Sequence, residues 1–292
     1  MKVLGIVCSA RKMGNSEILA KHALRACRER GADVGLLRLS DWRLEQCRGC
    51  FGCLFTTESC KIADDLERFG QAVRGYDAIL VASPTYQLFP PGLVKIVIDR
   101  VGSFVQAAQR EPVRPLSAAL IGVAGIKGWD HFTLPMLNLF LKVVTGYRAE
   151  VVDQALFHHP GPGEALLSEP TLRRTEQLAQ RLMGEAPAAP PPPAGDEIVC
   201  PVCRSNSFIL AVGPGRGIQC PFCQVWGEVT CDGVTWDPGS LTGHRFTEAA
   251  GQEFVENWIL RTRGSFASNL KTILQLKQPY KNTQIDIPWE TP

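Results

Sequence analysis

Neither charge sign dominates these 292 residues: 31 Lys and Arg stand against 29 Asp and Glu, a formal net charge of +2. So small an excess gives no field to gather nucleic acid or an anionic membrane, and partners must be argued from sites. Long apolar runs are missing too. The opening Met1–Cys8 segment has one charge and a six-residue apolar run, too short for a secretory signal. Leu116 to Ile126 is interrupted by Ser117, Gly122 and Gly125 and falls short of the roughly 20 residues of a spanning helix. No internal repeat is present. The expectation is a soluble, cytoplasmic protein without nucleic-acid or membrane partners.

What remains fits a globular chain, with 45% hydrophobic and 21% charged residues, near the upper size for one core. One medium domain plus something smaller is expected. In a cytoplasmic chain, 11 cysteines do not read as a disulfide framework, and their clustering points to metal. Four fall between Cys47 and Cys60 and four between Cys200 and Cys223. Cys8, Cys27 and Cys231 are left as buried or spare thiols.

From residue 2 to about 184, short apolar runs alternate with amphipathic segments, the pattern of a parallel sheet covered on both faces. Strands are expected at 2–8, 33–39, 78–82, 118–123 and 150–156, each rich in Val, Ile, Leu or Ala. Helices are expected at 16–30, 64–74, 92–109, 131–145 and 169–183. Five strands in this alternation predict an α/β, flavodoxin-like doubly wound sheet. The connection from 40 to 63 is unusually long and carries the first cysteine group. A proline-rich linker at 185–195 reads as a semi-rigid spacer rather than a docking peptide. Beyond it a cysteine module (196–238) precedes a helical tail (239–292), where Phe254, Trp258, Phe266, Leu270 and Leu274 recur near helical spacing. That stripe suits core contact or a dimer surface.

The first strand leads into Cys8-Ser9-Ala10-Arg11-Lys12-Met13-Gly14-Asn15-Ser16. Free N–H groups and the positive end of a helix attract phosphate there, Ser9, Asn15 and Ser16 add donors, Arg11 adds charge, and Gly14 lets the turn close. The loop is neither G-x-G-x-x-G nor G-x-x-x-x-G-K-[ST], so a monophosphate fits better than a dinucleotide or triphosphate. An ordinary Ser-capped helix is the alternative. After the third strand comes Ser83-Pro84-Thr85-Tyr86-Gln87, and then Ile98-Asp99-Arg100.

These two segments together resemble the NADPH-dependent FMN reductase and iron-sulfur flavoprotein group, over about residues 1 to 184. Its loops read S-x-R-x-x-G-N-[ST] and S-P-x-Y, with a helix ending I-D-R. The resemblance implies FMN, its phosphate in the first loop and its ring against Pro84, Thr85, Tyr86 and Gln87 and the loop after strand four. A core position is the alternative for Tyr86. The strand-four loop, Gly122 to Asp130, departs from the paired-glycine segment ending Gln-Glu of related proteins. Gly125 and Gly128 still permit close backbone approach, and Trp129 is placed to cover the ring.

Cys47, Cys50, Cys53 and Cys60 have the spacing C-x2-C-x2-C-x6-C. Three thiolates three residues apart can wrap one side of a cubane cluster, with Gly49 and Gly52 allowing tight winding and a fourth ligand closing it. The motif resembles that of the iron-sulfur flavoproteins, in which four cysteines ligate a [4Fe-4S] cluster beside FMN. Zinc or a redox-active thiol pair are the other readings. The resemblance also implies a dimer in which the cluster of one subunit approaches the flavin of another.

Cys200-Pro201-Val202-Cys203, sixteen residues, then Cys220-Pro221-Phe222-Cys223 is the paired-knuckle spacing of a structural four-cysteine site. A module of about 40 residues has too little core to fold without metal. It looks like a zinc ribbon. Arg204 and Gln224 stand where rubredoxin has glycine, which favours Zn over iron. Gly213 to Gly217 reads as a hairpin turn, and Arg204 and Arg216 make too thin a basic patch for nucleic acid. His131, His158, His159 and His244 lack ligand spacing. No general acid or base is nominated. The whole reads as an oxidoreductase passing electrons between a [4Fe-4S] cluster and FMN, serving a ferredoxin-like redox partner or a small electron acceptor, and forming a homo-oligomer. The rivals are an NAD(P)H-dependent FMN or quinone reductase without a cluster, and a non-enzymatic zinc-ribbon adaptor.

Overall fold

The computed structural model describes residues 1–55, 60–110, 115–186, 198–211, 217–231 and 233–281. The chain divides into two compact units, Met1–Gly251 and Gln252–Pro292. Most of the proline-rich segment, residues 213–216 of the glycine turn, and residues 285–292 lie outside the described residues.

The first unit is built on five parallel strands: β1 (Lys2–Val7), β2 (Asp33–Arg38), β3 (Ala78–Pro84), β4 (Leu116–Ala124) and β5 (Ala149–His158). Their order is β2-β1-β3-β4-β5. This is the flavodoxin-like doubly wound order expected, with ligand sites at the carboxyl ends of the strands. The apolar runs lack polar alternation because both faces are buried. Leu4, Ile6, Ile79, Val81, Ala118 and Leu120 feed the core on one face, while Val3, Val7, Leu80, Ala82, Ala119 and Ile121 feed the other.

A short helix, α2 (Gly52–Phe55), lies in the long loop after β2, and the first face is covered by α3 (Leu66–Arg74), α4 (Gly92–Asp99), α5 (Val101–Arg110) and α6 (Thr133–Val144). The second is covered by α1 (Asn15–Glu29) and α7 (Glu169–Leu182). The continuous helix expected over 92–109 is two helices. It breaks at Arg100, whose backbone leaves helical geometry as its side chain turns inward to Asp64. Strand β5 carries a bulge opposite Ala118 and Ala119. Beyond it Asp153 lies buried between Arg174 and Arg181 of α7, each at 2.6 Å.

The cysteine module forms an antiparallel sheet, β6 (Ile209–Ala211), β7 (Gly217–Gln219), β8 (Trp226–Thr230) and β9 (Gly233–Trp236), in sequential order. The second knuckle connects β7 to β8. Two short helices follow, α8 (Pro238–Thr242) and α9 (Glu248–Glu253). In the tail, a π-helical turn at Phe254–Leu260 leads into α10 (Arg261–Leu276) and α11 (Gln278–Lys281). The stripe Phe254, Trp258, Phe266, Leu270 and Leu274 is exposed. Among the described residues, no helix is long and apolar enough to cross a membrane.

Candidate functional site

At the carboxyl end of β1 the chain turns through Ser9 to Gly14 into α1. Gly14 occupies the cap position without a side chain to offer, so no side-chain hydrogen bond closes the N-terminus of α1. The first-turn N–H groups therefore keep their capacity for an anion, and the helix dipole favours one. Arg11 is exposed beside Gly14, whereas Ser9 and Ser16 are buried. The Ser9 hydroxyl accepts the Arg11 N–H at 3.1 Å and shapes the turn. Asn15 is engaged elsewhere. Its amide donates to the carbonyls of His159 (3.0 Å) and Gly161 (2.9 Å), and its Oδ1 accepts the Ala165 N–H at 3.2 Å. The side chain thus ties the anion loop to the segment after β5, leaving the Asn15 backbone to face a ligand.

A buried carboxylate supports this loop from beneath. Glu17 pairs with Arg38 and with Lys21 (2.7 Å) and accepts the Met13 N–H at 2.7 Å, where Met13 has φ +54°. Burial alone would raise the Glu17 pKa, but Lys21, the Met13 N–H and Arg38 outweigh it and hold the carboxyl below its usual range.

The end of β3 carries the second loop. The Thr85 N–H donates to the Val123 carbonyl at 2.7 Å, and the Thr85 and Thr133 hydroxyls are hydrogen-bonded at 2.7 Å. Tyr86 and Phe89 then pair as a two-residue hairpin, with Gln87 at φ +49° and Leu88 at φ +76°. Such turns ordinarily use Asn and Gly, so two bulky left-handed residues store strain. Tyr86 is 50% exposed and is not a core aromatic. In the β4 loop Gly128 has φ +86°, Gly125 lies against Pro160, and Trp129 is 55% exposed. Asp130 holds the His158 ring at 2.5 Å. Met13, Tyr86, Phe89, Ile126 and Trp129 give this end of the sheet an exposed apolar rim.

The long loop after β2 opens at the same end. Its base is closed by Arg43 and Asp65, the Asp65 N–H donating to the Arg43 carbonyl and the Arg43 N–H to the Asp65 carboxylate, each at 2.9 Å, and by the Glu45 N–H donating to Asp64 at 2.8 Å. Arg100 locks that base, reaching Asp64 at 2.7 and 3.2 Å and the Glu45 carbonyl at 2.9 Å. Gly49 and Phe51 are left-handed, φ +61° and +56°, and wind the segment tightly around Cys50. Cys47 and Cys50 are exposed, while Cys53 and Cys60 are half-buried. Burial, and then the neighbouring Cys60, Cys47 and Cys50, push the Cys53 thiol up.

The second group is compact. The Sγ atoms of Cys200, Cys203, Cys220 and Cys223 lie within 4.8 Å of one another, all buried, with Cys200–Cys223 at 3.3 Å and Cys203–Cys220 at 3.4 Å. Thiolates on one tetrahedral zinc ion, with bonds of about 2.3 Å, would stand about 3.8 Å apart, so the donor set fits a single S4 ion. The knuckles are built alike. Arg204 N–H bonds the Cys200 carbonyl at 3.0 Å and Gln224 N–H the Cys220 carbonyl at 2.9 Å, with φ +63° and +68°.

The module packs on α6 and the edge strand β5. Asn138 donates to Gln154 Oε1 at 2.9 Å, and Gln154 donates to the Val202 carbonyl in the first knuckle at 2.9 Å. His131 donates from Nδ1 to Asn206 Oδ1 at 2.7 Å, and Phe132 lies 5.9 Å from Phe222 of the second knuckle. None of these links was visible in the sequence, because each joins residues far apart in the chain. The only local signal was the identity of polar residues within apolar helices, such as Asn138.

The sheet order, the open anion turn at β1 and the strained hairpin at β3 define a flavodoxin-like protein. The chain belongs to the NADPH-dependent FMN reductase family, whose model matches residues 1–155. It is 35% identical over 101 residues to an iron-sulfur flavoprotein of Archaeoglobus fulgidus, covering 35% of this chain and 46% of the relative. It is 33% identical over 100 residues to an iron-sulfur flavoprotein of Methanosarcina thermophila, covering 34% and 52%. The matched region thus spans about half the length of these curated relatives. A solved structure named flavone reductase shares the fold across 99% of this chain and 100% of its own, with a TM-score of 0.68 and 19% identity.

Proposed function

We propose that the chain is an FMN-dependent oxidoreductase in which Cys47, Cys50, Cys53 and Cys60 hold a [4Fe-4S] cluster beside the flavin. The observation that carries this reading is shared location. The cysteine loop, the anion turn and the strained hairpin all follow parallel strands and open at one end of the sheet. Similarity to iron-sulfur flavoproteins supports it.

The residues at that end suit the task. The uncapped start of α1, with Arg11, would hold the phosphate of FMN, and Glu17 and Asn15 fix the turn that presents it. Pro84, Thr85, Tyr86 and Gln87 would line one edge of the ring, and Gly125 and Gly128 let backbone approach another. When bound, FMN supplies two-electron chemistry and the cluster single-electron transfer. Arg100 and Asp64 hold the base of the cysteine loop against the sheet. Cys200, Cys203, Cys220 and Cys223 would hold zinc as a structural ion. A ferredoxin-like protein or a small electron acceptor is the proposed partner.

The test is a Cys50→Ser variant of the full chain, purified anaerobically. FMN retained with iron and sulfide lost supports the assignment. Iron unchanged from the wild type overturns it.

A further inference from the structure

Three consecutive residues before and at the start of α6 each make a different long-range contact. His131 is held by Asn206, beyond the first knuckle. The Phe132 ring is stacked on Phe89 at 4.8 Å and 26°, and meets Phe222 at 5.9 Å and 43°. Its N–H donates to the Leu88 carbonyl at 3.2 Å. Thr133 is hydrogen-bonded to Thr85.

Each contact has a direction. Phe222 sits between Cys220 and Cys223, so its position follows the closure of the knuckle around its four sulfurs. Phe89 ends the hairpin whose tip, Gln87 and Leu88, is held in left-handed geometry. Such strain, about 1 kcal/mol or more per residue, persists only where surroundings over-determine it. Here those surroundings are the Phe132 ring, its N–H and Thr133. The hairpin is therefore braced by a segment whose other side is gripped by the cysteine module.

We propose that the four-cysteine ribbon positions the Tyr86–Phe89 hairpin through Phe222 and Phe132, so that metal at Cys200, Cys203, Cys220 and Cys223 sets how tightly flavin binds at the carboxyl end of the sheet. This rests on the flavin reading above. Phe222 and Phe132 are positioning residues, and the coupling is reciprocal: flavin strengthens metal binding by the same factor.

The experiment uses full-length Phe222→Ala and Phe132→Leu variants. Zinc content, FMN affinity, flavin midpoint potential and backbone hydrogen exchange at residues 85–90 are measured beside the wild type. Both variants are expected to keep zinc while FMN affinity falls about tenfold, within the usual range of coupling energies, the potential shifts and exchange at 85–90 accelerates. Phe222→Tyr is expected to restore all three. In the wild type, FMN should tighten zinc in chelator competition by the same factor by which zinc tightens FMN. Zinc retained with unchanged FMN affinity and unchanged exchange at 85–90 overturns the proposal. The Phe132→Leu variant decides if Phe222→Ala fails to fold, since residue 132 lies outside the knuckles. A wild-type chain that binds no FMN overturns the flavin reading alone. Exchange at 85–90 needs no flavin and still decides the coupling.

Discussion

Asp64 and Arg100, 36 residues apart, form a buried ion pair whose two bonds, at 2.7 and 3.2 Å, close the base of the cysteine loop. Burial alone would raise the Asp64 pKa, but Arg100 and the N–H groups of Glu45 and Leu66 outweigh it and hold the carboxyl below its usual range. The pair therefore contributes stability above the unfolded carboxyl pKa of about 4 that is lost as pH falls through the lower folded value. Asp64→Asn leaves a guanidinium buried without its counter-charge. The expected cost is about 3–5 kcal/mol in urea unfolding, with iron lost faster to a chelator than from the wild type. An unchanged midpoint together with unchanged iron loss would contradict this role.

Gly14→Asp separates stability from ligand binding. Aspartate caps helix N-termini, and the added Cβ would meet Arg11 only at ordinary contact distance, so the fold should gain a few tenths of a kcal/mol. A carboxylate there also occupies the N–H groups proposed to hold phosphate and would repel it. The melting temperature of the flavin-free protein should hold or rise while FMN affinity falls at least tenfold. Retained FMN affinity would place the phosphate elsewhere.

Lys142, buried on α6 with its amine donating to the Ala149 carbonyl, is pushed down to about 8 by burial, against the opposing pull of Glu150. Because the unfolded lysine binds its proton up to about 10.4, this residue lets stability rise with pH between about 8 and 10.4. Lys142→Met removes that contribution. The stability difference between variant and wild type should change by about 3 kcal/mol across the window, the wild type gaining as pH rises. Denaturant curves at pH 7, 8, 9 and 10 measure it. Parallel curves would show that the amine is not desolvated.

Gln154 joins α6 to the first knuckle through Asn138 and Val202. Gln154→Ala leaves the Asn138 amide with only its bond to the Leu134 carbonyl and takes the Gln154 donor from the Val202 carbonyl, at an expected cost of about 1–3 kcal/mol with zinc retained. Loss of zinc without loss of stability would mean that the link serves the metal site, not the packing.

The strands were legible because burial on both faces leaves continuous apolar runs, and both cysteine groups because ligand spacing is local. The turn from β1 into α1 was legible for the same reason, since Ser9 to Ser16 is one short segment. What escaped the sequence were pairings across the fold. Arg38 with Glu17, Arg100 with Asp64 and Gln154 with Val202 are 21, 36 and 48 residues apart. The break at Arg100 belongs to this class, because its side chain turns inward to partners distant in the chain, the Asp64 carboxylate and the Glu45 carbonyl. Asn15 shows the converse. Expected to offer its side chain to phosphate, it spends that side chain on His159, Gly161 and Ala165, contacts no local pattern reveals.

The most direct test of the account is the content of iron, acid-labile sulfide, zinc and FMN per chain after anaerobic purification. About four irons and about four sulfides are expected, with one zinc and one FMN. Two zinc ions with no sulfide would contradict this and leave a cluster-free flavin reductase.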